Sequence, residues 1–435
     1  MQIYKNPPRE DWEEILTRPT QQFKKIEKIV KPIIKKVKKK GDKALKQFAL
    51  EYDHVELESI AVSKEEINKA EKQLSKELKE AIQTAYKNIE TFHAAQKEEP
   101  IAVQTMPGVS CMRKSVAIQK VGLYIPGGTA PLFSSVLMLG IPAKLAGCQE
   151  IVLCSPPNRE GKLHPAILYS AKLAGINKIC KVGGAQAIAA MTYGTKTIPK
   201  VHKIFGPGNQ YVTVAKQIVS QKGVSIDMPA GPSEVAVLAD STAKPAFVAA
   251  DLLSQAEHGK DSQVLLVTTE EKLVEQVQNE IGKQLSKLPR HEFAEAALEN
   301  SVVCIMESST DCIDLLNEYG AEHLILSIEH PREIMNRIFN AGSVFLGHYT
   351  PESAGDYASG TNHTLPTNGY AKSFSGVSLD SFVKKITYQE ITEEGLQLLG
   401  PTVEIMAEAE KLMAHKRAVS LRLTEIKAKN SELRK

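Results

Sequence analysis

Glu322 and His323 stand side by side in the stretch GAEHLIL, directly before a β-branched run. An adjacent Glu and His suit two proton-transfer roles, because their tuned pKa values can straddle neutrality. A surface pair reads the same from this motif alone. Gln255 and His258, in SQAEHG, are three residues apart. On a helix that spacing puts both on one face, within reach of one metal ion, while Glu257 points elsewhere. Alone, it equally describes an ordinary helical pair. The tripeptide Ala-Glu-His occurs at both places, and spacing does not say which is metal and which is acid–base. Asp356 and His363 lie seven residues apart in PESAGDYASGTNHTLPTNG, residues 351–369. That stretch is rich in Gly and Ser and poor in aliphatic side chains. It reads as a long loop that a metal and a substrate would order, since long ordered loops are usually functional. Glu410 and His415 are five apart, about 140° from each other on a continuous helix. Both can serve one site only where the helix breaks or the site sits across its end.

Three glycine-rich turns follow expected strands: Pro126-Gly127-Gly128, Gly183-Gly184-Ala185-Gln186 and Gly206-Pro207-Gly208-Asn209. None matches G-x-G-x-x-G. Each alone is explained by a turn that needs positive φ. Together, in one four-strand unit, they also suit a phosphate or dinucleotide site, because open α/β sheets bind ligands at the carboxyl ends of their strands.

The elements that must position these residues change along the chain. Up to about residue 100 the pattern is helical. Ile26, Ile29, Val30, Ile33, Ile34 and Val37 fall on one face, and the lysines of KPIIKKVKKK fill the other, which reads as a solvated face. From about 118, short β-branched runs alternate with helical stretches that end at Gly. The runs are VAIQKVGLYI, EIVLCS, KICKVG, VHKIFG, SEVAVLAD, SQVLLVTT, SVVCIM and LILSI. Such alternation implies β-α-β units and mainly parallel sheets. A break near 228–234 divides the runs four and four. A helical tail follows from about 387 to 430.

A chain of 435 residues expects two or more domains, and 42% apolar residues are enough to pack them. A net charge of +3 does not point to nucleic acid. No apolar run has transmembrane length, and the first residues lack a signal-peptide h-region, so a cytoplasmic protein is expected. The six cysteines form no C-x-x-C pair, which argues against a zinc ribbon or a disulfide framework. Cys154 reads as a buried strand residue rather than a nucleophile.

Taken in order, the motifs resemble the histidinol dehydrogenase family. The likeness runs through GLYIPGGTAPLFSSVLM, KVGGAQAIAAMTYGT, IFGPGNQYV, DMPAGPSEVAV, LLSQAEHG, GAEHLIL, PESAGDYASGTNHTLPT and EKLMAHKRAV, over about residues 110–420. It implies two incomplete Rossmann-like parallel-sheet domains with a helical N-terminal region and a small helical C-terminal segment. The expected boundaries are 1–115, packed on the second α/β domain; 116–232, the NAD side; 233–378, with the metal and acid–base residues; and 379–435, exchanged across a homodimer. The family oxidises L-histidinol to L-histidine through the aldehyde, reducing two NAD, with one zinc per subunit. The resemblance carries the zinc ligands to Gln255, His258, Asp356 and His415, and the acid–base pair to Glu322 and His323. Substrate contacts carry to Ser233, His363 and Glu410, besides the metal ligands and His323, and NAD contacts to Tyr124, Gln186 and Asn209. A C-terminal segment reaching across the dimer would place Glu410 and His415 in the partner's site. Departures from the family pattern are Gly259-Lys260, Thr364 and Lys372; Lys260 brings a positive charge near the expected metal. A metal-dependent hydrolase uses the same groups, but the three glycine turns and the resemblance stand against it. A nucleic-acid-binding protein built on the lysine-rich helix is opposed by the near-neutral charge.

Overall fold

The computed structural model describes residues 1–19, 23–127, 130–229 and 231–432. Gly128 of the first glycine turn and Ala230 of the 228–234 break lie outside them. The described strands run in chain order from β1 (Gln2–Lys5) through β2 (Ile101–Met106), β3 (Val109–Ala117) and β4 (Lys120–Tyr124). Next come β5 (Glu150–Ser155), β6 (Lys178–Lys181), β7 (Lys203–Phe205), β8 (Ser225–Ile226) and β9 (Glu234–Ala239). The last are β10 (Gln263–Thr268), β11 (Val302–Ile305), β12 (His323–Ser327), β13 (Ser343–Leu346) and β14 (Val383–Ile391).

Contacts group Met1–Gln96 and Ile118–Phe382 into one compact unit, and Lys97–Ala117 with Val383–Lys435 into a second. In the first unit two all-parallel sheets form. One has the order β6-β5-β4-β7-β8, the other β1-β11-β10-β9-β12-β13. Every residue of β9 and β10 is buried, as a parallel sheet covered by helices on both faces requires. All eight β-branched runs of the sequence become strands. In each sheet the chain winds outward on one side and then returns to the other side of its first strand, β4 or β9. That return makes a topological switch point.

The helical N-terminal region was expected on the second α/β domain. Its helices pack instead on the first sheet's layer. Ile26, Val30, Ile33 and Val37 of the helix Phe23–Lys40 join the core that contains Ala187, Ile188, Val212 and Ala215. The reason is the width of that apolar stripe, which fills the groove between the helices Gly184–Tyr193 and Gln210–Ser220. Only the first turns reach the second sheet: β1 pairs with β11, and Trp12 enters that sheet's core. β1 is a four-residue edge strand, too short for its pattern to be read.

The second unit is a three-stranded antiparallel sheet, β14-β3-β2, followed by the helices Glu393–Ala409 and Met413–Glu432. The expected helical tail therefore opens with a strand. Val383, Ile386, Thr387, Tyr388 and Ile391 are strand-forming residue types, and register pairing with β3 overrides any helical reading. The tail is also not one helix. Glu410 caps the first, Lys411 has φ 61°, and the second begins at Met413. No helix among the described residues is long and apolar enough to cross a membrane.

Candidate active site

At the carboxyl ends of β4, β6 and β7 lies a cavity of about 490 Å³ lined by Tyr124, Gly127, Gly184, Gln186 and Asn209. The three expected NAD contacts thus meet at one place. The Tyr124 hydroxyl accepts a hydrogen bond from Gly184 N at 3.0 Å, and burial pushes its pKa up to about 12. Asn209 caps the helix Gln210–Ser220: its Oδ1 accepts from Tyr211 N and Val212 N at 3.1 and 3.2 Å. Two helices begin at this cavity, at residues 184 and 210; Gly184, Tyr211 and Val212 already give their N–H groups to Tyr124 and Asn209, so a phosphate would draw on the other first-turn N–H groups. Gly206 has φ 123°, and a Cβ there would stand 2.0 Å from Tyr124 O, so only glycine lets β7 turn off beside β4. Ile29, Tyr52 and Asp53 complete the wall. Ile29, grouped by its spacing with the buried face, is 45% exposed because it faces this cavity.

The second sheet meets the site with its other end. His323 opens β12 with Glu322 just before it, and Glu234 opens β9, so the expected acid–base pair lies at the amino end of its strand. Expectation from open α/β sheets was the carboxyl end. The second sheet departs from it because the helix Pro245–Ala256 runs back from β9 and delivers Gln255 to the amino ends. Gln255 Nε2 lies 2.8 Å from His323 Nδ1, and His323 Nδ1 is 3.3 Å from Glu234 O. His323 Nε2, the other ring nitrogen, faces Asp356 Oδ1 at 3.3 Å. Glu322 Oε2 accepts Glu234 N at 2.9 Å and stands 3.7 Å from His323 Nδ1. Burial pushes the Glu322 carboxyl up to about 8, against the pull of His323 and the Glu234 N–H. On His323 burial acts downward, but Glu322 and Asp356 outweigh it and raise the imidazole to about 9. Asp356 feels burial upward; His323 outweighs it and holds the carboxyl below its usual range.

A smaller cavity of about 120 Å³ joins the two sides. Its wall includes Gly206 and Gly208 from the first sheet, and Ser233, Glu322 and His363 from the second. His363 Nδ1 donates to Asp356 O at 2.8 Å, and Nε2 lies 2.9 Å from the Ser135 hydroxyl. Burial lowers its pKa, which keeps it neutral. Both ring nitrogens therefore hold protein groups.

Residues 351–369 are not all loop. Glu352–Tyr357 forms a helix. The remainder is fixed by polar anchors where apolar ones are scarce. Asn362 Nδ2 donates to Met138 O at 2.6 Å, Asn88 Nδ2 to Ala358 O at 2.9 Å, and Gly231 N to the Thr367 hydroxyl. The expected need for a metal and substrate to order the stretch is thus met in part by the protein itself.

Among the described residues, one group of three metal-type donors converges to within 4.8 Å: His323, Glu352 and Asp356. It shares only Asp356 with the expected zinc ligands. Gln255 engages His323 through its amide nitrogen, which leaves the amide oxygen as its metal donor. His258 follows the end of the Gln255 helix; burial lowers its pKa, and the Asp356 charge acts the other way. Asp356 Oδ1 and His323 Nε2 are buried without a hydrogen-bond partner. Asp356 Oδ1 has the His323 ring beside it at 3.3 Å but no aligned hydrogen bond, and a buried carboxylate oxygen so poorly satisfied is one that a cation would stabilise. The donors are nitrogen and oxygen with no thiolate, a set that fits zinc. Lys260, expected near the metal, sets its amine 5.8 Å from the centre of the Phe293 ring. Glu410 and His415 belong to the second unit, where both are exposed, at the helix break.

Several residues of the site escaped the sequence reading. Glu352 accepts from the Ser254 hydroxyl at 2.6 Å, and burial with the Asp356 charge pushes it up to about 8. Its four-residue spacing from Asp356 was the available signal, hidden by reading the stretch as loop. Lys216 donates to Gly206 O at 2.9 Å and pairs with Asp227, whose Oδ2 accepts Gly206 N at 2.8 Å. That buried ion pair braces the third glycine turn, and no local pattern announces it.

Comparison with known proteins gives one answer. A family model described as histidinol dehydrogenase matches residues 16–423. A histidinol dehydrogenase of Bacteroides thetaiotaomicron is 58% identical over 98% of this chain and 100% of its own length. One from Vibrio parahaemolyticus is 53% identical over 98% of each chain. The crystal structure of histidinol dehydrogenase from Elizabethkingia anophelis superposes with a TM-score of 0.96 at 56% identity, covering 98% of this chain and 99% of that one.

Proposed function

Since the chain belongs to the histidinol dehydrogenase family, we propose that the described cluster carries out the two-step oxidation of L-histidinol to L-histidine through L-histidinal. Membership makes the chain an oxidoreductase of histidine biosynthesis. The observation that carries the finer reading is the cavity shared by Gly206, Gly208, Ser233, Glu322 and His363. It runs from the turns suited to a dinucleotide to the residues suited to proton transfer.

Gln255, His258 and Asp356 would hold zinc, with His415 supplied by the other subunit of a homodimer. Zinc, when bound, supplies positive charge that orients the substrate's imidazole and amine, and NAD supplies the hydride acceptor. Tyr124, Gln186 and Asn209 line the place for NAD. His323, in its neutral form, takes the hydroxyl proton of the alcohol as the hydride leaves for NAD. Glu322, held at the Glu234 N–H, activates water to hydrate the aldehyde, and the hydrate is then oxidised to the acid. Ser233 and Glu410 contact the substrate, and His363 does so by giving up its Ser135 contact. Helix 352–357 and its anchors keep the aldehyde in the site between the two steps. The partner in this reading is a small molecule, with no nucleic acid and no membrane, and the protein works in the cytoplasm.

The test is absorbance of NADH on adding histidinol, before chelation, after chelation and after zinc return. Production lost with the chelator and restored by zinc is the expected result. NADH formation that ignores a complete removal of metal would remove zinc from the reading.

A further inference from the structure

One residue outside the expected site reaches Glu322, His323 and Gln255 inside it. Glu234 gives its backbone to the acid–base pair: its N–H donates to Glu322 Oε2 at 2.9 Å, and its carbonyl lies 3.3 Å from His323 Nδ1 and 3.4 Å from Gln255 Nε2. Its side chain, 2% exposed, turns the other way. There Oε1 accepts from Arg18 Nε at 2.6 Å and from Asn368 N at 2.6 Å, and Oε2 accepts from Arg18 Nη2 at 2.9 Å. Asn368 closes the stretch that carries Asp356 and His363. With Gly369 it forms a left-handed pair, φ 57° and 71°, that wraps the Arg18 guanidinium.

Arg18 is itself pinned. It donates to Tyr319 O at 2.7 Å and stacks 4.0 Å from the centre of the Tyr319 ring. The Tyr319 hydroxyl donates to Gln263 Oε1 at 2.9 Å, and Gln263 Nε2 returns to Thr17 O at 3.1 Å. The ring of contacts therefore closes on the residue before Arg18. A planar two-pronged donor fixes a carboxylate in direction as well as distance, which an ammonium does not.

We propose that Arg18 and Glu234 form a positioning clamp that sets the acid–base pair and the 351–369 stretch in register with each other. Neither touches the reacting atoms. The clamp acts through the Glu234 backbone on Glu322, His323 and Gln255, and through Asn368 on the segment bearing Asp356. It rests on the reading of Glu322 and His323 as the proton-transfer pair. Because both bases hang from the same peptide units, loosening the clamp slows both oxidations, whereas loss of either base alone falls mainly on one step.

The experiment uses the full-length, zinc-loaded enzyme with Arg18→Ala, Arg18→Lys and Glu234→Gln. Rates are taken with histidinol and with histidinal, well below each variant's melting temperature. Amide exchange is followed at residues 364–370. Arg18→Ala is expected to lower kcat about tenfold or more on both substrates, as misplacement of catalytic groups by an ångström does. The KM for NAD should stay within about twofold, and exchange should rise at Asn368 and Gly369. Arg18→Lys keeps the charge but loses the fork, so it should fold and fall between wild type and Arg18→Ala. A lowered melting temperature with wild-type kcat in Arg18→Lys and Glu234→Gln overturns the clamp and leaves a purely structural ion pair. His323→Asn and Glu322→Gln, run alongside, separate the two failures. If they are inactive while the clamp variants are fully active, the clamp alone is wrong; if they keep full activity, the proton-transfer reading fails and the clamp with it.

Discussion

At the scale of single residues, the site works by setting neighbours of like kind apart. Glu322, Glu352 and Asp356 are three buried or half-buried carboxyls around one imidazole, yet two are raised and one is lowered. The lowered one is the one that faces His323 Nε2. Under the proposed roles, His323→Asn slows the oxidation of histidinol about a hundredfold or more and that of histidinal less, since a positioned base contributes 10²–10⁴-fold. Glu322→Gln shows the reverse order. Steady-state rates of each variant on both substrates decide the matter, and equal losses throughout would sink the division of labour. One turn before Gln255 on the same helix, Asp251 is a carboxyl that burial alone raises to about 7. Its folded pKa lies above the unfolded value, so between about pH 4 and 7 the folded state binds the extra proton. Stability from this group is present at low pH and is lost as pH rises toward 7. Asp251→Asn should therefore stabilise the protein at pH 8, by on the order of 1 kcal/mol, and change little at pH 4. Melting temperatures at the two pH values would show it, and a destabilised variant at pH 8 would contradict it.

At the scale of elements, the two sheets use opposite ends: the first offers carboxyl ends to the cavity proposed for NAD, the second amino ends to the proposed acid–base cluster. The first sheet's turns are steep. Gly206→Ala puts a methyl group onto the Tyr124 carbonyl and an L-residue at φ 123°. It is expected to raise the KM for NAD about tenfold while a direct assay of zinc content is unchanged; unchanged NAD dependence would show that the turn gives way without cost. How legible these elements were depended on whether their signal was local. The eight core runs were readable because buried parallel strands are continuous β-branched segments. Three kinds of element were not. β1 is four residues long and gains its pairing from β11. β14 competes with a helical reading that only its antiparallel partner, β3, resolves. The helix 352–357, ESAGDY, holds a glycine and little apolar surface, so its stability comes from Glu352 and Gly355 packing inward, not from propensity. The same holds for the site. Glu322, His323, Gln255 and His258 were visible as pairs at short spacing. Arg18 with Glu234 is joined by folding across a long sequence distance, and Lys216 with Asp227 across the end of one helix and β8; neither pair carries a pattern that a single sequence can show.

At the scale of the whole molecule, the helix break at Glu410–Leu412 removes the objection that two residues five apart cannot share a site. Lys411 in the left-handed region turns the chain between them. If the second unit completes a partner's site, as proposed, then His415→Ala chains and His258→Ala chains are each inactive alone, yet a mixed dimer rebuilds one intact site in two. Mixed dimers isolated by two different tags should recover about a quarter to a half of wild-type activity per dimer, allowing for loss in the damaged half. No recovery in verified mixed dimers would place both residues in one chain's own site. Pairing at the outer edge of the second sheet bears on how the chain is made. Gln2 sits in register with Val302, so the first strand to leave the ribosome finds its neighbour only after about three hundred more residues. At roughly 5–20 residues per second that is a wait of at least ~15 s. Arg18 waits almost as long for Glu234. Through that interval the first sheet and its helices can close, while the start of the chain stays unpaired and open to proteases and to wrong partners. Assembly of the second half is thus timed by translation, and slow passage through its codons would cost yield before it cost activity.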